Sequence, residues 1–474
     1  MRFSNPVQRP FYCVILLMLL LPLSGEAQVK KPFYEASMNS VVAAGEQTPF
    51  WLMSDRQGKY GPEKYTGSMD MGIFAERDTG KVFDYEYGLE LYGRLSRNED
   101  AWLHQAYAGA TLFDLFYVKA GMWEQIVGSK EPTISSGSII WSGNARPMPK
   151  VEAGIPDYVP VPFTRDYLEI KGVMAHGWFE KDRYVKDVWL HHKNAYLRLG
   201  GDLPVNLYFG FNHYAMWGGK SPAYETPFPS DFETFWDVFF NRQGDPDKEG
   251  IPESWVINRV GNSVGSRNHG IDVELEKVNT GIYLQDVFED GSGRRRNNFP
   301  DGLWGVWLRF KEEKKPVQAV AYEFLHTTDQ SGRYHEIDGE IVGGNDNYFN
   351  HHSYNSGWTH HEYTIGTPLI TSPLLNDAAT HKIMNNKVVA HHLGITGYIN
   401  RNIKYRNLLT YSRNFGTNKN PYTPRKEQFH WLLEVNKNLG FHGLEAGVAI
   451  ALDIGEMYGD NFGVMVSLVK RGDF

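Results

Sequence analysis

Cysteine is all but missing from the 474-residue sequence: Cys13 is the sole one. It sits early in an N-terminal apolar run rather than directly after it, where a lipid-anchored cysteine would have to be. Disulfides, thiolate metal sites and cysteine nucleophiles are therefore excluded from a chain that begins beyond that run. Past residue 27 no stretch approaches the roughly 18 uncharged apolar residues that a membrane-spanning helix needs. Basic charge is in short supply too, with 48 Lys and Arg against 56 Asp and Glu. The one basic cluster, Arg294-Arg295-Arg296, stands among Asp290, Gly291, Ser292, Gly293, Asn297 and Asn298, which is loop chemistry. Nucleic acid is not expected as a partner. For the cluster two readings stand, a solvated loop and a contact with lipid phosphates at a membrane face. Nor does any phosphate-cradling glycine loop open a helix, so nucleotide chemistry has no support.

What is present begins with a leader. Arg2 and Arg9 supply a positive start, Phe11 to Leu23 an apolar core, and Gly25-Glu26-Ala27 a small-x-small cleavage site, so residues 1–27 read as a secretory signal peptide and residues 28–474 as the mature chain. Its removal takes away two Arg and one Glu and moves the formal charge from -8 to -9. Aromatic residues make up 14% of the chain, with 27 Tyr, 27 Phe and 13 Trp.

Period-two alternation organises those aromatics. From Phe83 to Leu95, Phe83, Tyr85, Tyr87, Leu89 and Leu91 alternate with Asp84, Glu86, Gly88, Glu90 and Tyr92. In 204–217, Val205, Leu207, Phe209, Phe211 and Trp217 oppose Asn206, Tyr208, Gly210, Asn212 and Tyr214; 303–311 and 441–453 repeat the pattern. Soluble sandwiches also alternate, but their strands average about 5 to 6 residues, whereas these reach the roughly 10 needed to cross a bilayer at a tilt. The fold class expected is all-β, a transmembrane antiparallel β-barrel of about 16 to 18 strands, an even number being usual, with short helical and loop plug elements. Glu86, Glu90, Arg94, Arg309, Lys311 and Glu445 are expected to face a wet lumen. The last strand ends on Phe474, a terminal aromatic like that by which outer-membrane barrels resemble one another.

Three insertions break the alternation, at 127–163, 219–262 and 327–368. The first is rich in Ser, Gly and Pro and reads as irregular chain. In the second, Ser230 and Glu233 fit a capping box, and Phe232, Phe235, Trp236, Phe239 and Phe240 line one face of a short helix, read as packing inside or against the barrel mouth. The third holds Asn345, Asp346, Asn347, Tyr348 and Trp358, the residue types of sugar recognition, because amides and carboxylates bond hydroxyls and rings pack on pyranose faces. A polar loop without ligand is the competing reading.

Other chemistry finds less. Gly261-Asn262-Ser263-Val264-Gly265 matches a nucleophile elbow, but that motif needs a strand, a sharp turn and a helix, and a strand follows here. The histidine pairs 191/192, 351/352, 360/361 and 391/392 would put their members on opposite faces of a strand, which rarely gives two ligands to one ion. Neither a metal nor a cofactor is expected. Paired carboxylates for glycoside cleavage are a matter of spatial separation, and no pair stands out.

The irregular segments carry a resemblance. Ser138-Ile139-Ile140-Trp141 with Asn144-Ala145-Arg146-Pro147-Met148-Pro149, Asn212-His213 with Trp217-Gly218-Gly219, Gly344-Asn345-Asp346-Asn347-Tyr348, and Gly357-Trp358 through Ile365-Gly366-Thr367-Pro368 together resemble the capsule assembly Wzi family in its Bacteroides-type form, over nearly the whole mature chain. The resemblance implies a monomeric 18-stranded barrel in outer-membrane lipid, with a small helical element on the periplasmic side, acting as a lectin-like anchor that helps attach exported capsular polysaccharide to the cell. The helix near 232–240 is then a candidate plug element. Residues 28–80 show no long helix, which departs from the family's N-terminal helical bundle. On the chemistry of the matching motifs, Trp141, Tyr348 and Trp358 are expected to stack on sugars, with Asn144, Arg146, Asn345, Asp346 and Asn347 bonding their polar groups. Enzymatic activity is not expected. The rivals are a porin-like diffusion channel, with Glu86, Glu90, Arg94 and Arg309 setting selectivity, and an outer-membrane hydrolase using Ser263 or a lumen carboxylate.

Overall fold

In a computed structural model, residues 32–474 are described, apart from 79, 98, 258, 290–292, 294, 333–334, 338–339, 377–379 and 442. The expected leader, 1–27, lies outside them. Eighteen antiparallel strands form one sheet that closes on itself, from Phe33–Gly45 to Asn461–Asp473. The closure joins these two strands in register from Phe33 opposite Asp473 to Gly45 opposite Asn461. Every backbone edge is thereby paired, which is what lets a sheet stand in hydrocarbon. The Phe474 amide adds a last bond to the Pro32 carbonyl, at 3.1 Å.

The alternation sorts the two faces of the wall. Leu89 and Leu91 are 51% and 59% exposed on the outside, while Glu90 between them is buried in the lumen. Phe209, Val306 and Val466 continue the outer apolar band. No described helix is long and apolar enough to cross a membrane; the strands do the crossing. Both ends of the described chain and the short turns 113–115, 200–204, 275–277 and 401–402 lie at one end of the barrel. The long connections 46–64, 123–149, 218–261 and 327–387 lie at the other. Short turns are periplasmic and long loops extracellular in such barrels.

Three of these loops turn inward and build the core inside the barrel. The loop 46–64 carries helix α1 (Phe50–Met53), all four residues buried, with the Phe50 ring stacked 4.3 Å from His430 of the wall. The loop 123–149 descends along the wall. Its Ile134 carbonyl accepts from His392 Nε2 at 2.9 Å, Lys130 reaches Asp272 at 2.6 Å, and Glu131 accepts from Arg309 Nε at 2.9 Å. The loop 327–387 sits above it.

Two expectations about the insertions change. Lys150–Pro160 is a strand of the wall, not part of an irregular 127–163; Gly154, Pro156 and Pro160 disguise it, and the register slips between Ile155 and Val159, where the ladder tolerates proline. The 232–240 helix, α2 (Phe232–Phe240), packs on the outside of the wall and not in the plug. Its Phe235 and Phe239 rings lie 5.6 and 5.4 Å from His191, an outward side chain, and Phe232 is 73% exposed. Its cap is Asp231, which accepts from the Thr234 amide at 3.0 Å and pairs with Lys248 at 2.8 Å, rather than Ser230. A third helix, α3 (Glu253–Ile257), follows in the same loop. The described helices thus all stand at the long-loop end; a periplasmic helical element is not among the described residues.

Candidate functional site

The expected site residues separate into two places. Trp141, Asn144 and Arg146 belong to the interior of the plug. The Trp141 ring is stacked 5.4 Å from Tyr214 and lies edge-on, 6.3 Å, to Trp358. Asn144 is buried and ties three loops together, since its Nδ2 donates to the Thr364 carbonyl at 3.0 Å and its Oδ1 accepts from the Asp55 amide at 3.2 Å. The Arg146 guanidinium lies 3.6 Å over the Trp102 ring of the wall.

Tyr348 and Trp358 are fully enclosed. The Tyr348 hydroxyl donates to Asp301 at 2.9 Å and accepts from Asn298 at 2.8 Å, and the Trp358 indole N–H donates to the Ile140 carbonyl at 2.9 Å. Burial and the Asp301 carboxylate hold the Tyr348 phenol far above its ordinary range. With their faces covered, these two rings and Trp141 offer no surface on which a sugar can stack. The expectation of stacking is corrected to a packing role: sequence marked them because rings are needed, but they fill the space between loops, where their area is best hidden from water.

Asn345, Asp346 and Asn347 lie elsewhere, around a cleft of about 560 Å³ at the outer mouth, with Asn350, His352, Lys382, Asn418, Lys419 and Asn420. The loop is held from below: Asp346 accepts from Ser331 at 2.6 Å, Asn347 Oδ1 from Asn386 at 2.7 Å, and Asn418 Nδ2 donates to the Asp346 carbonyl at 3.0 Å. Asn345 takes a left-handed backbone, φ 53°, which asparagine tolerates better than most residues. The short hairpin 417–420 and the 380s were not expected here. A lone Lys419-Asn420 turn carries no periodic or motif signal, and only the packing of distant loops brings it to Asn345.

His351 Nδ1 accepts from the Ser353 amide at 3.2 Å, a bond only the neutral ring can make. Burial, then His352, hold its pKa well below the ordinary 6.5. The folded loop therefore resists a proton that the unfolded one takes up: the stabilisation is complete above pH 6.5 and is lost as pH falls below it. Hydrogen exchange of residues 345–358 is expected to speed up on acidification from pH 7.5 to 5 by more than the intrinsic rate accounts for. His351→Gln, which keeps an acceptor but cannot titrate, is expected to abolish that excess.

The lumen charges do not line an open passage. Glu90 is bonded by Lys59 of the plug at 2.7 Å, Arg309 is paired with Glu131, and Glu434 takes Arg56 of the plug at 2.9 Å. Lys311 pairs with Glu274 at the rim. Among the described residues one constellation has metal-like spacing, Glu90, His104 and Glu124. The Lys59 ammonium stands on it, 2.7 Å from Glu90 and 3.3 Å from Glu124. Burial alone would lower Lys59, but these carboxylates override it and keep it charged. Ser263 of the elbow pattern lies within a strand, beneath α2, 3.2 Å from His213 Nε2 and 3.2 Å from Asn241 Oδ1. Near the start of a strand that runs on to Glu274, with no helix after it, the serine lacks the strand-turn-helix setting of a nucleophile elbow.

A closed 18-stranded wall with an apolar outer band, three inward-folded loops and a polar cleft at the mouth defines a plugged outer-membrane β-barrel. The chain belongs to the capsule assembly protein Wzi family, whose model matches residues 38–370. Among solved structures it is similar to Wzi of Escherichia coli, an outer-membrane protein involved in group 1 capsule assembly and a carbohydrate-binding β-barrel. The two are 14% identical over 99% of this chain and 89% of that one, with a TM-score of 0.60. OccK5 of Pseudomonas aeruginosa is 9% identical over 94% and 98%, TM-score 0.48, and OccAB4 of Acinetobacter baumannii 8% over 95% and 100%, TM-score 0.46. No curated protein sequence matches the chain.

Proposed function

We propose that this protein takes exported capsular polysaccharide into the mouth cleft and so helps hold the capsule to the cell, as a binding protein rather than an enzyme or a channel. The observation that carries this is the lining of the cleft. Amide side chains from the loops 327–387 and 417–420, each with paired donors and an acceptor, suit the hydroxyls of a glycan, and Lys382 and Lys419 add positive charge that suits an acidic sugar. Recognition is then by hydrogen bonds and charge, with Asn345, Asp346 and Asn347 retained from the expected set and Trp141, Asn144, Arg146, Tyr348 and Trp358 supporting the loops from beneath. That one chain closes the whole barrel supports a monomer in outer-membrane lipid as the working unit.

The test is a triple variant, Asn345→Ala, Lys382→Ala and Lys419→Ala, all on the cleft wall. Each lost hydrogen bond to a charged or buried group is worth about 1 kcal/mol or more, so affinity for purified capsular polysaccharide is expected to drop at least about 100-fold, with more capsule shed to the medium. Unchanged affinity and unchanged surface capsule, with the folded variant present in the membrane, would place the binding surface elsewhere.

A further inference from the structure

Two members of the basic cluster, Arg295 and Arg296, lie beside the outer face of the wall. In the strand Asn262–Glu274, Arg267 and His269 share the outward face with Ile271, and in Val278–Phe288 Asp286 shares it with Ile282. Charged side chains that point outward from transmembrane strands are costly at mid-bilayer and tolerated near the interface. Arg267 and Asp286 therefore mark headgroup depth on the extracellular side.

Arg267 and Arg296, the latter from the loop 289–301, converge on Asp286 Oδ2 at 2.7 and 3.2 Å. Arg296 also donates to His269 Nε2 at 2.8 Å, its side chain is 50% exposed, and Arg295 beside it is exposed. Directly below, His269 forms part of the wall of a trough of about 490 Å³ on the outer surface, with Phe209, Ile271, Ile282, Trp304 and Tyr322. Guanidinium groups at headgroup depth are thus joined through His269 to an apolar trough that is continuous with the lipid-facing band.

We propose that this is a binding site for a phosphorylated acyl lipid of the outer leaflet. Arg296, with Arg295, takes the phosphate, whose oxygens match the guanidinium fork. The trough takes one acyl chain, and Asp286 and Arg267 position Arg296 rather than touch the lipid. The site lies outside the barrel, away from the mouth cleft, and does not depend on what the cleft binds.

Native mass spectrometry of the detergent-solubilised full chain, titrated with lipid A or with enzymatically dephosphorylated lipid A, tests it. A one-to-one adduct is expected with lipid A, at least about tenfold weaker with the dephosphorylated form. Arg296→Gln, on an exposed loop, is expected to remove that preference, and Val306→Trp, which fills the trough from a lipid-facing position, to weaken both lipids, while polysaccharide binding stays unchanged in each. Equal binding of the two lipids by the unaltered protein, or an undiminished preference in Arg296→Gln, overturns the proposal.

Discussion

Glu323→Leu is expected to cost about 3 to 5 kcal/mol of stability and to raise the ion conductance of the barrel. Glu323 is buried on the inner face of the wall. Its carboxylate accepts from Ser135 Oγ at 2.7 Å, from the Ser136 amide at 2.6 Å, from Ser136 Oγ at 2.6 Å and from the Tyr283 hydroxyl. Three of these donors belong to the loop 123–149, so a single wall residue pins the middle of the plug. Leucine fills similar volume but leaves four buried donors without an acceptor, each worth about 1–3 kcal/mol when stranded. Relief by water entering from the loosened plug keeps the total toward the lower end. The melting temperature in detergent reads the first effect, and planar-bilayer conductance the second. Glu323→Gln retains one acceptor oxygen and should lie between. Should Glu323→Leu leave both readouts at the unaltered values, this contact does not seat the loop.

Gly394→Ala is expected to unseat the same loop by steric means, at a cost near the top of the about 1–3 kcal/mol range for overpacking. A Cβ on Gly394 would stand 1.9 Å from the Ile134 carbonyl oxygen and 2.7 Å from Ile134 Cβ. The oxygen belongs to backbone that also accepts from His392, so it has no side-chain rotation by which to retreat. The control is Gly67→Ala, on another strand, where an added Cβ meets nothing within 4 Å; it should be neutral or slightly stabilising. Because Glu323 and Gly394 hold one segment, the double variant should cost less than the two separate losses together. A fully additive result would show that the wall around Gly394 and the Ser135-Ser136 turn release independently.

Both effects follow from how the barrel spends its interior. Porin-like walls with charged inner faces invite an open lumen, and Glu90, Arg309 and Glu434 have that character in isolation. Here each meets a partner on an inward-folded loop: Lys59, Glu131 and Arg56. A paired lumen charge selects no ions; it fixes a plug. The mouth cleft, where the loop ends meet, is a polar surface that these pairings leave open.

The wall was legible because a strand's side-chain period is two and its environment differs on its two faces. Leu89 and Glu90 needed only that rule to be placed; the alternating runs gave about 16 to 18 strands, and the family resemblance the 18 that close the wall. Where proline interrupts the rule, at 156 and 160, the strand Lys150–Pro160 reads as loop. The helix over 232–240 was legible from its apolar spacing, but that spacing says only that a face is covered. The outward His191 ring covers it from the barrel side, and its exposed Phe232 edge faces away.

The site divides along the same line. Asparagine, aspartate, tyrosine and tryptophan in one loop signalled a surface built to bond or to pack, and composition does not distinguish those uses, since a ring hides its area equally well against a sugar or against another loop. Sequence alone determined the membrane barrel, its two faces and the family to which the loops belong, because those depend on local period and on motif order. Only the tertiary structure decided that Trp141, Tyr348 and Trp358 are enclosed while Asn345 and Asn347 meet Lys419 at an open cleft. It also decided that the lumen is filled, because both outcomes depend on contacts between loops distant in sequence, such as Tyr363 bonding the Tyr60 carbonyl 303 residues away, which no local pattern encodes.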